Sequence, residues 1–111
     1  MELREESLGE VVVLAVTGRI DSNTAPTLGE RLSETFATSR RRLVLDLRQL
    51  EYMSSAGFRI LLLAARRAEE TGSRFVLCSL SRKVHQMFEL GGFLDLFSIA
   101  ASREDAITAA R

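Results

Sequence analysis

The residues whose types and spacing could do chemistry are a serine pair in the stretch Tyr52-Met53-Ser54-Ser55-Ala56-Gly57-Phe58-Arg59. Before it, residues 43–47 read Leu-Val-Leu-Asp-Leu, an apolar run with the length of a buried strand. After it, Phe58, Leu61, Leu62, Ala65 and Ala68 recur at helical spacing and should face a core. Serine is a preferred N-cap because its hydroxyl accepts from an orphan helical N–H, so Ser54 or Ser55 starts a helix. That helix should run to Thr71, with Gly72 just past its end, where positive φ is wanted. A strand that hands over to a helix N-terminus collects backbone donors and the positive end of the helix dipole, and it favours anions. On these grounds Ser55 is either a plain helix cap or, with Ser54 doing the capping, a presented hydroxyl. Gly57 in the first turn is otherwise a poor choice, costing about 0.5–1 kcal/mol against alanine. Either it relaxes a tight turn or it leaves room for something to approach the backbone.

No catalytic set accompanies these serines. There is one histidine, His85, and one cysteine, Cys78, far apart and in unlike settings. His85 falls opposite Val84 and Phe88 on a helix and reads as solvated. Cys78 ends the apolar run Phe75-Val76-Leu77-Cys78, reads as a small core residue and has no second cysteine to pair with. No phosphate-binding glycine loop and no paired metal ligands are present, so neither cofactor nor metal is expected, and the chain does not read as an enzyme. A two-component receiver would need an acidic pair after its first strand; Asp46 could stand for its acceptor, but the pair has no candidate.

The elements that must position the serines follow from the pattern. At 111 residues the chain is a single domain, 46% hydrophobic and 27% charged, with no net charge, which argues against nucleic acid or an anionic membrane as partner. Residues 1–6 are mostly charged and carry no secretory signal. The longest apolar run, residues 60–65, is far short of the roughly 20 needed to cross a bilayer. A cytoplasmic protein without membrane insertion is expected. Residues 2–7 and 11–16 should form a hairpin around Gly9, with the second strand buried on both faces, and residues 17–21 a loop. Thr24 is the expected N-cap of a first helix, with Pro26 in its first turn and Leu28, Leu32 and Phe36 on its inner face. That helix gives way to residues 38–42, whose Arg40-Arg41-Arg42 is either a phosphate or partner patch or a solvated connector. Residues 48–53 read as a loop, and Asp46, at the end of the buried strand, as a support for that loop's amides. Residues 74–80 are the next strand. Ser81 caps a third helix with Val84, Met87 and Phe88 inside, ended by Gly91-Gly92. A short edge strand near residues 97–100 precedes a last helix opened by Ser102, with Asp105 at capping-box spacing and Ala106, Ile107 and Ala110 as apolar positions. Strands alternating with helices after a hairpin imply an α/β fold with a small, mixed, mostly parallel sheet. In such a sheet the loops at residues 21–24 and 54–58 lie at one edge, beyond the strands' C-terminal ends.

With these elements in place, Tyr52-Met53-Ser54-Ser55-Ala56-Gly57-Phe58 after Val44-Leu45-Asp46-Leu47 resembles the phosphorylation loop of the STAS-domain anti-sigma-factor antagonists, small bacterial partner-switching regulators. That family's pattern is an aromatic or aliphatic residue, then Met or Ile, Asp, Ser, Ser or Thr, Gly, Leu. Its phosphoacceptor maps onto Ser55. Ser54 stands in place of the Asp and Ala56 in place of the following Ser or Thr, which removes a negative charge and makes Ser54 the alternative acceptor. Gly18-Arg19-Ile20-Asp21-Ser22-Asn23-Thr24-Ala25 is similar to the family's Gly-x-Leu/Ile-Asp-x-x-Thr-Ala, and residues 80–93 to its Ser-x-x-Val, Leu/Met-Phe, Gly-Leu segment. The resemblance covers nearly the whole chain. It implies one STAS domain over residues 1–111, with four to five α-helices, working as a monomer or weak dimer. It further implies an unphosphorylated form that binds a histidine-kinase-like anti-sigma factor and frees the sigma factor. That serine kinase inactivates the chain on Ser55, and a PP2C-type phosphatase restores it. Asp21, Ser22, Asn23, Thr24, Ser54, Ser55, Ala56, Gly57, Phe58 and Arg59 then form the partner surface, with the exposed face of the helix. Asp21→Ala should weaken binding and leave the melting temperature nearly unchanged. The alternative is a non-switching STAS subunit that docks on the ATPase of a lipid-transport ABC complex.

Overall fold

Two adjacent parallel strands, β2 (Val11–Ile20) and β3 (Arg42–Met53), form the middle of the molecule. The computed structural model describes residues 1–38 and 42–111. Ser39, Arg40 and Arg41, and so most of the arginine connector, lie outside the described residues. β2 sends Val12, Leu14 and Val16 into one core with Leu43, Leu45 and Leu47, and Val11 and Val13 into a second with Val44, Val76 and Cys78. Both faces are buried, which is why the strand reads as a continuous apolar run rather than an alternating one.

β1 (Glu2–Leu8) pairs antiparallel with β2 through the turn at Gly9, whose φ of +65 suits a residue without a side chain. β4 (Arg74–Cys78) and β5 (Ser98–Ala100) continue the sheet in parallel, so spatial order equals chain order. The crossovers α1 (Ala25–Ala37), α2 (Ser55–Thr71) and α3 (Arg82–Leu90) bury Leu28, Leu32 and Phe36, then Phe58 and Leu61, then Val84 and Phe88, against one face. The eight-residue α4 (Arg103–Ala110) covers part of the other face with Ala106 and Ala110. Ser81 and Ser102 cap α3 and α4 as expected, accepting from the amides of Val84 (3.2 Å) and Asp105 (3.1 Å).

Two segments differ from the sequence expectation. Residues 17–20 and 48–53 are not loops; they extend β2 and β3 to Ile20 and Met53. The pairing goes from Ala15↔Asp46 to Thr17↔Gln49, then from Gly18↔Leu50 to Arg19↔Tyr52, so β3 holds one extra residue at each step. Each is a β-bulge, which breaks the two-residue period and increases the twist. The buried residues of β3 therefore fall at Leu47, Leu50 and Met53, three apart, a spacing that does not read as a strand. At the other boundary, β4 stops at Cys78, because Ser79 turns into the left-handed region (φ +60) while its amide donates to Ala100 O (3.3 Å).

Candidate functional site

The extended strands carry the two loops to a common end. The last rung joins them: Ser54 N donates to Ile20 O over 2.8 Å. Ser55, the first residue of α2, is exposed, and among the described residues its hydroxyl meets no partner. Ser54 occupies the N-cap position in extended backbone (φ −85, ψ 174), yet its side chain caps nothing. Its Oγ is buried without a hydrogen-bond partner, while its carbonyl accepts from Gly57 N (3.0 Å) and Phe58 N (3.2 Å). The expectation that Ser54 caps while Ser55 presents its hydroxyl is thus met in its second half only.

Gly57 is buried, and a Cβ there would run into Met53 Cγ and come within 2.8 Å of Ile20 Cγ2. The missing side chain makes room for the domain's own core, which brings the α2 N-terminus down onto the strand ends. Phe58 is also inside: its ring stacks on Phe93 (4.4 Å between centroids, 14° between planes) and meets Phe88 edge-on at 4.9 Å. Ala56 packs partly buried against the same core. Of the expected surface on α2, Ser55 and Arg59 are the exposed members, followed by Leu63, Arg66 and Arg67. A groove between α1 and α2, lined by Pro26, Gly29, Ile60 and Leu63, runs beside them.

In the other loop, Ser22 and Asn23 are exposed, and Asp21 and Thr24 are locked together. The Asp21 carboxylate accepts from Asn23 N (2.9 Å) and Thr24 N (3.1 Å), and Thr24 Oγ1 accepts from Asp21 N (2.9 Å) while donating to Arg19 O (3.0 Å). Thr24 sits at the α1 N-cap position, but its hydroxyl bonds back to the loop instead of to the helix. The Asn23 amide most of all, helped by the Thr24 amide and hydroxyl and the Arg19 charge, holds the Asp21 carboxyl below its ordinary range, and together they outweigh the desolvation that opposes them. Asp21 therefore shapes its own loop, so Asp21→Ala removes structure as well as surface, and the expectation of an unchanged melting temperature does not fit this geometry.

Two features were not read from the sequence. Arg19 lies over the Tyr52 ring, 4.4 Å from its centroid, a contact that exists only because the strands extend that far. Asp46 is buried in mid-strand, where it accepts from Arg48 N (3.0 Å) and pairs with Arg103 of α4 at 3.0 and 2.9 Å; Arg103 also reaches Glu6 at 2.9 Å. Asp46 does support an amide, but chiefly it fastens α4 to the sheet. Burial disfavours the Arg103 charge, and the Asp46 and Glu6 carboxylates outweigh it and raise its pKa. Burial likewise pushes the Cys78 thiol up. No group of three or more candidate metal ligands and no helix long and apolar enough to cross a membrane occur among the described residues.

Against known proteins, the family model described as STAS domain matches residues 3–106. BtrV of Bordetella bronchiseptica, named as a candidate anti-sigma factor antagonist, is 37% identical over 109 residues, covering 98% of this chain and 94% of that protein. The anti-sigma-F factor antagonist RsfB of Mycobacterium tuberculosis is 31% identical over 103 residues, covering 91% and 82%. Among solved structures, an anti-sigma factor antagonist from Mycobacterium paratuberculosis superposes with a TM-score of 0.89 at 28% identity, covering 99% of this chain and 93% of that one.

Proposed function

Because the chain belongs to the STAS domain family, we propose that it is an anti-sigma-factor antagonist that works by partner switching. In its unphosphorylated form it binds a histidine-kinase-like anti-sigma factor and releases the sigma factor. The same kinase phosphorylates Ser55, and a PP2C-type phosphatase reverses it. The observation that carries this reading is the division of labour between the serines. Ser55 is exposed with a free hydroxyl, Ser54 Oγ is buried, and the Ser54–Ile20 bond sets both beside the Asp21 loop. The names of the relatives support the partner class. The partner surface is then Ser55 and Arg59 with Asp21, Ser22, Asn23 and Thr24. Ser54, Ala56, Gly57 and Phe58 act beneath it by holding its shape.

Phosphate on Ser55 adds about −1.5 to −2 charges at neutral pH. The α2 N-terminus tolerates that charge through amide donors and the helix dipole, worth roughly 0.3–1 kcal/mol, so the fold should persist. The effect falls on the interface, where a dianion facing a surface shaped for a neutral hydroxyl costs several kcal/mol unless paired. Since each 1.4 kcal/mol is tenfold in affinity, about 3–4 kcal/mol releases the partner without rearrangement. The test is binding of Ser55→Ala and Ser55→Asp to the cognate kinase. Ser55→Ala should bind and resist phosphorylation, and Ser55→Asp should bind far more weakly. Phosphorylation of Ser55→Ala would move the acceptor to Ser54. Equal binding by both variants and the parent would favour a docking subunit that does not switch.

A further inference from the structure

We propose that Arg19, stacked on Tyr52, is a recognition element that takes an oxyanion presented by the partner in the complex. This rests on the partner-switching reading and names a contact that reading lacks. Arg19 and Tyr52 are cross-strand neighbours at the ends of β2 and β3. The residues that follow them, Ile20 and Met53, are buried in the core under α2, so Arg19 and Tyr52 point to the other face of the sheet. The Arg19 guanidinium carbon lies 4.4 Å from the Tyr52 ring centroid, and Thr24 Oγ1 donates to the Arg19 carbonyl at 3.0 Å, fixing the backbone from the Asp21 loop. The guanidinium carbon sits over the ring, and its N–H donors meet no hydrogen-bond acceptor among the described residues.

Those donors have no carboxylate among the described residues. Arg4 pairs with Glu2, Arg31 with Glu5, Arg42 with Glu10, and Arg103 with Glu6 and Asp46. The nearest carboxylate in sequence, Asp21, is turned onto the amides of Asn23 and Thr24. So an exposed guanidinium, already ordered on an aromatic ring, stands two residues from Asp21, and its ring stands two residues from Ser54. Ordering before binding removes much of the entropy that a free arginine would lose, and Arg and Tyr are, with Trp, the residue types enriched among the side chains that dominate interfaces. The matching chemistry is a planar or tetrahedral oxyanion read by a two-pronged donor. It comes from one of two sources, a carboxylate side chain of the anti-sigma kinase or a phosphate of the nucleotide that kinase holds.

The experiment is titration calorimetry of the whole chain against the cognate anti-sigma kinase, nucleotide-free and ADP-loaded, with Arg19→Gln, Arg19→Lys and Tyr52→Leu. Arg19→Gln should weaken binding about tenfold or more, and Tyr52→Leu should weaken it in the same direction, both with melting temperatures near the parent's. Arg19→Lys keeps the charge without the fork and should recover only part of the loss. Loss in both kinase states assigns the oxyanion to a carboxylate; loss in the ADP-loaded state alone assigns it to phosphate. Arg19→Gln within about twofold of the parent in both states, or full recovery by Arg19→Lys, overturns the inference and leaves partner switching standing. If the parent itself binds no such kinase, the functional reading falls and takes this contact with it.

Discussion

The Ser54 amide reaches the Ile20 carbonyl at 2.8 Å, and that bond ties the N-terminus of α2 to the strand end that leads into the turn at Asp21. The bond is the end product of two bulges in β3, which carry the β2–β3 pairing to the brink of both loops. A loop held only by its own turn residues would present Ser55 over a range of positions. Here the backbone that leads into both loops belongs to the sheet, so the proposed partner surface is ordered before binding.

Gly57→Ala tests how tightly that surface is pinned. Alanine favours a helix interior over glycine by about 1 kcal/mol, which would stabilise α2. The added methyl, however, would meet Met53 Cγ and Ile20 Cγ2 well inside contact distance, in a packed core. Overpacking of this kind costs about 1–3 kcal/mol, so the net expected effect is a loss of stability. Urea unfolding should show a lower midpoint at unchanged slope. A midpoint above the parent's would mean that Met53 yields freely and that the α2 N-terminus is not held by this contact.

What was legible in the sequence, and what was not, divides along the same line. The strands expected at residues 11–16, 43–47 and 75–80 announce themselves because both faces of each are buried, although the third ends at Cys78, where Ser79 turns left-handed. The Ser81 and Ser102 caps are legible because capping is local. The extension of β3 is not, because two inserted residues turn an alternating pattern into Leu47, Leu50, Met53. Asp46 with Arg103, and Arg19 with Tyr52, are contacts between distant positions that no spacing encodes. The family pattern around Ser55 supplied the candidate site; it could not say that the Ser54 hydroxyl would be left without a bond.

Asp21 should reveal itself by pH. Its folded pKa lies below the value of 3.8 for the free side chain. A group with a depressed folded pKa contributes stability that is complete above its unfolded pKa and is lost as pH falls through the folded one. Asp21→Asn keeps an acceptor for the Asn23 and Thr24 amides but cannot titrate. The parent should therefore melt higher than Asp21→Asn at neutral pH, and the gap should close below about pH 4. A gap that is constant from neutral to acid pH would place the loop's stability elsewhere. Asp21→Ala should melt lower than Asp21→Asn, since it loses the acceptor as well.

Arg103 gives a third measurement. Removing it by Arg103→Ala leaves the buried Asp46 carboxyl without its cation and with one amide donor, from Arg48. An uncompensated buried acceptor costs about 1–3 kcal/mol, and α4 loses its fastening to β3. Replacing both partners, Asp46→Leu with Arg103→Met, should recover most of that loss, because a buried ion pair and an apolar pair of similar size are close in free energy. Chemical denaturation of the two single variants and the double variant would expose the coupling. Strict additivity would show that the pair does not act as a unit.

The last prediction concerns the buried hydroxyl. Ser54 Oγ is out of solvent and meets no hydrogen-bond partner, so it carries the penalty of an unmade bond, about 1–3 kcal/mol, and gives no cap in return. Ser54→Ala removes that oxygen and keeps the extended backbone that the Ser54–Ile20 bond requires, since alanine's amide donates equally well. The variant should therefore be as stable as the parent or up to about 1 kcal/mol more stable, against the usual loss of about 1 kcal/mol for a Ser-to-Ala change at a working N-cap. Its phosphorylation should be unimpaired and stop at one phosphate if, as proposed, the exposed Ser55 hydroxyl is the acceptor. The two readouts separate the alternatives. A stability loss near the usual N-cap value would mean that the Ser54 hydroxyl swings out and caps α2 in solution. Loss of phosphorylation with stability intact would make Ser54, not Ser55, the residue on which the switch turns.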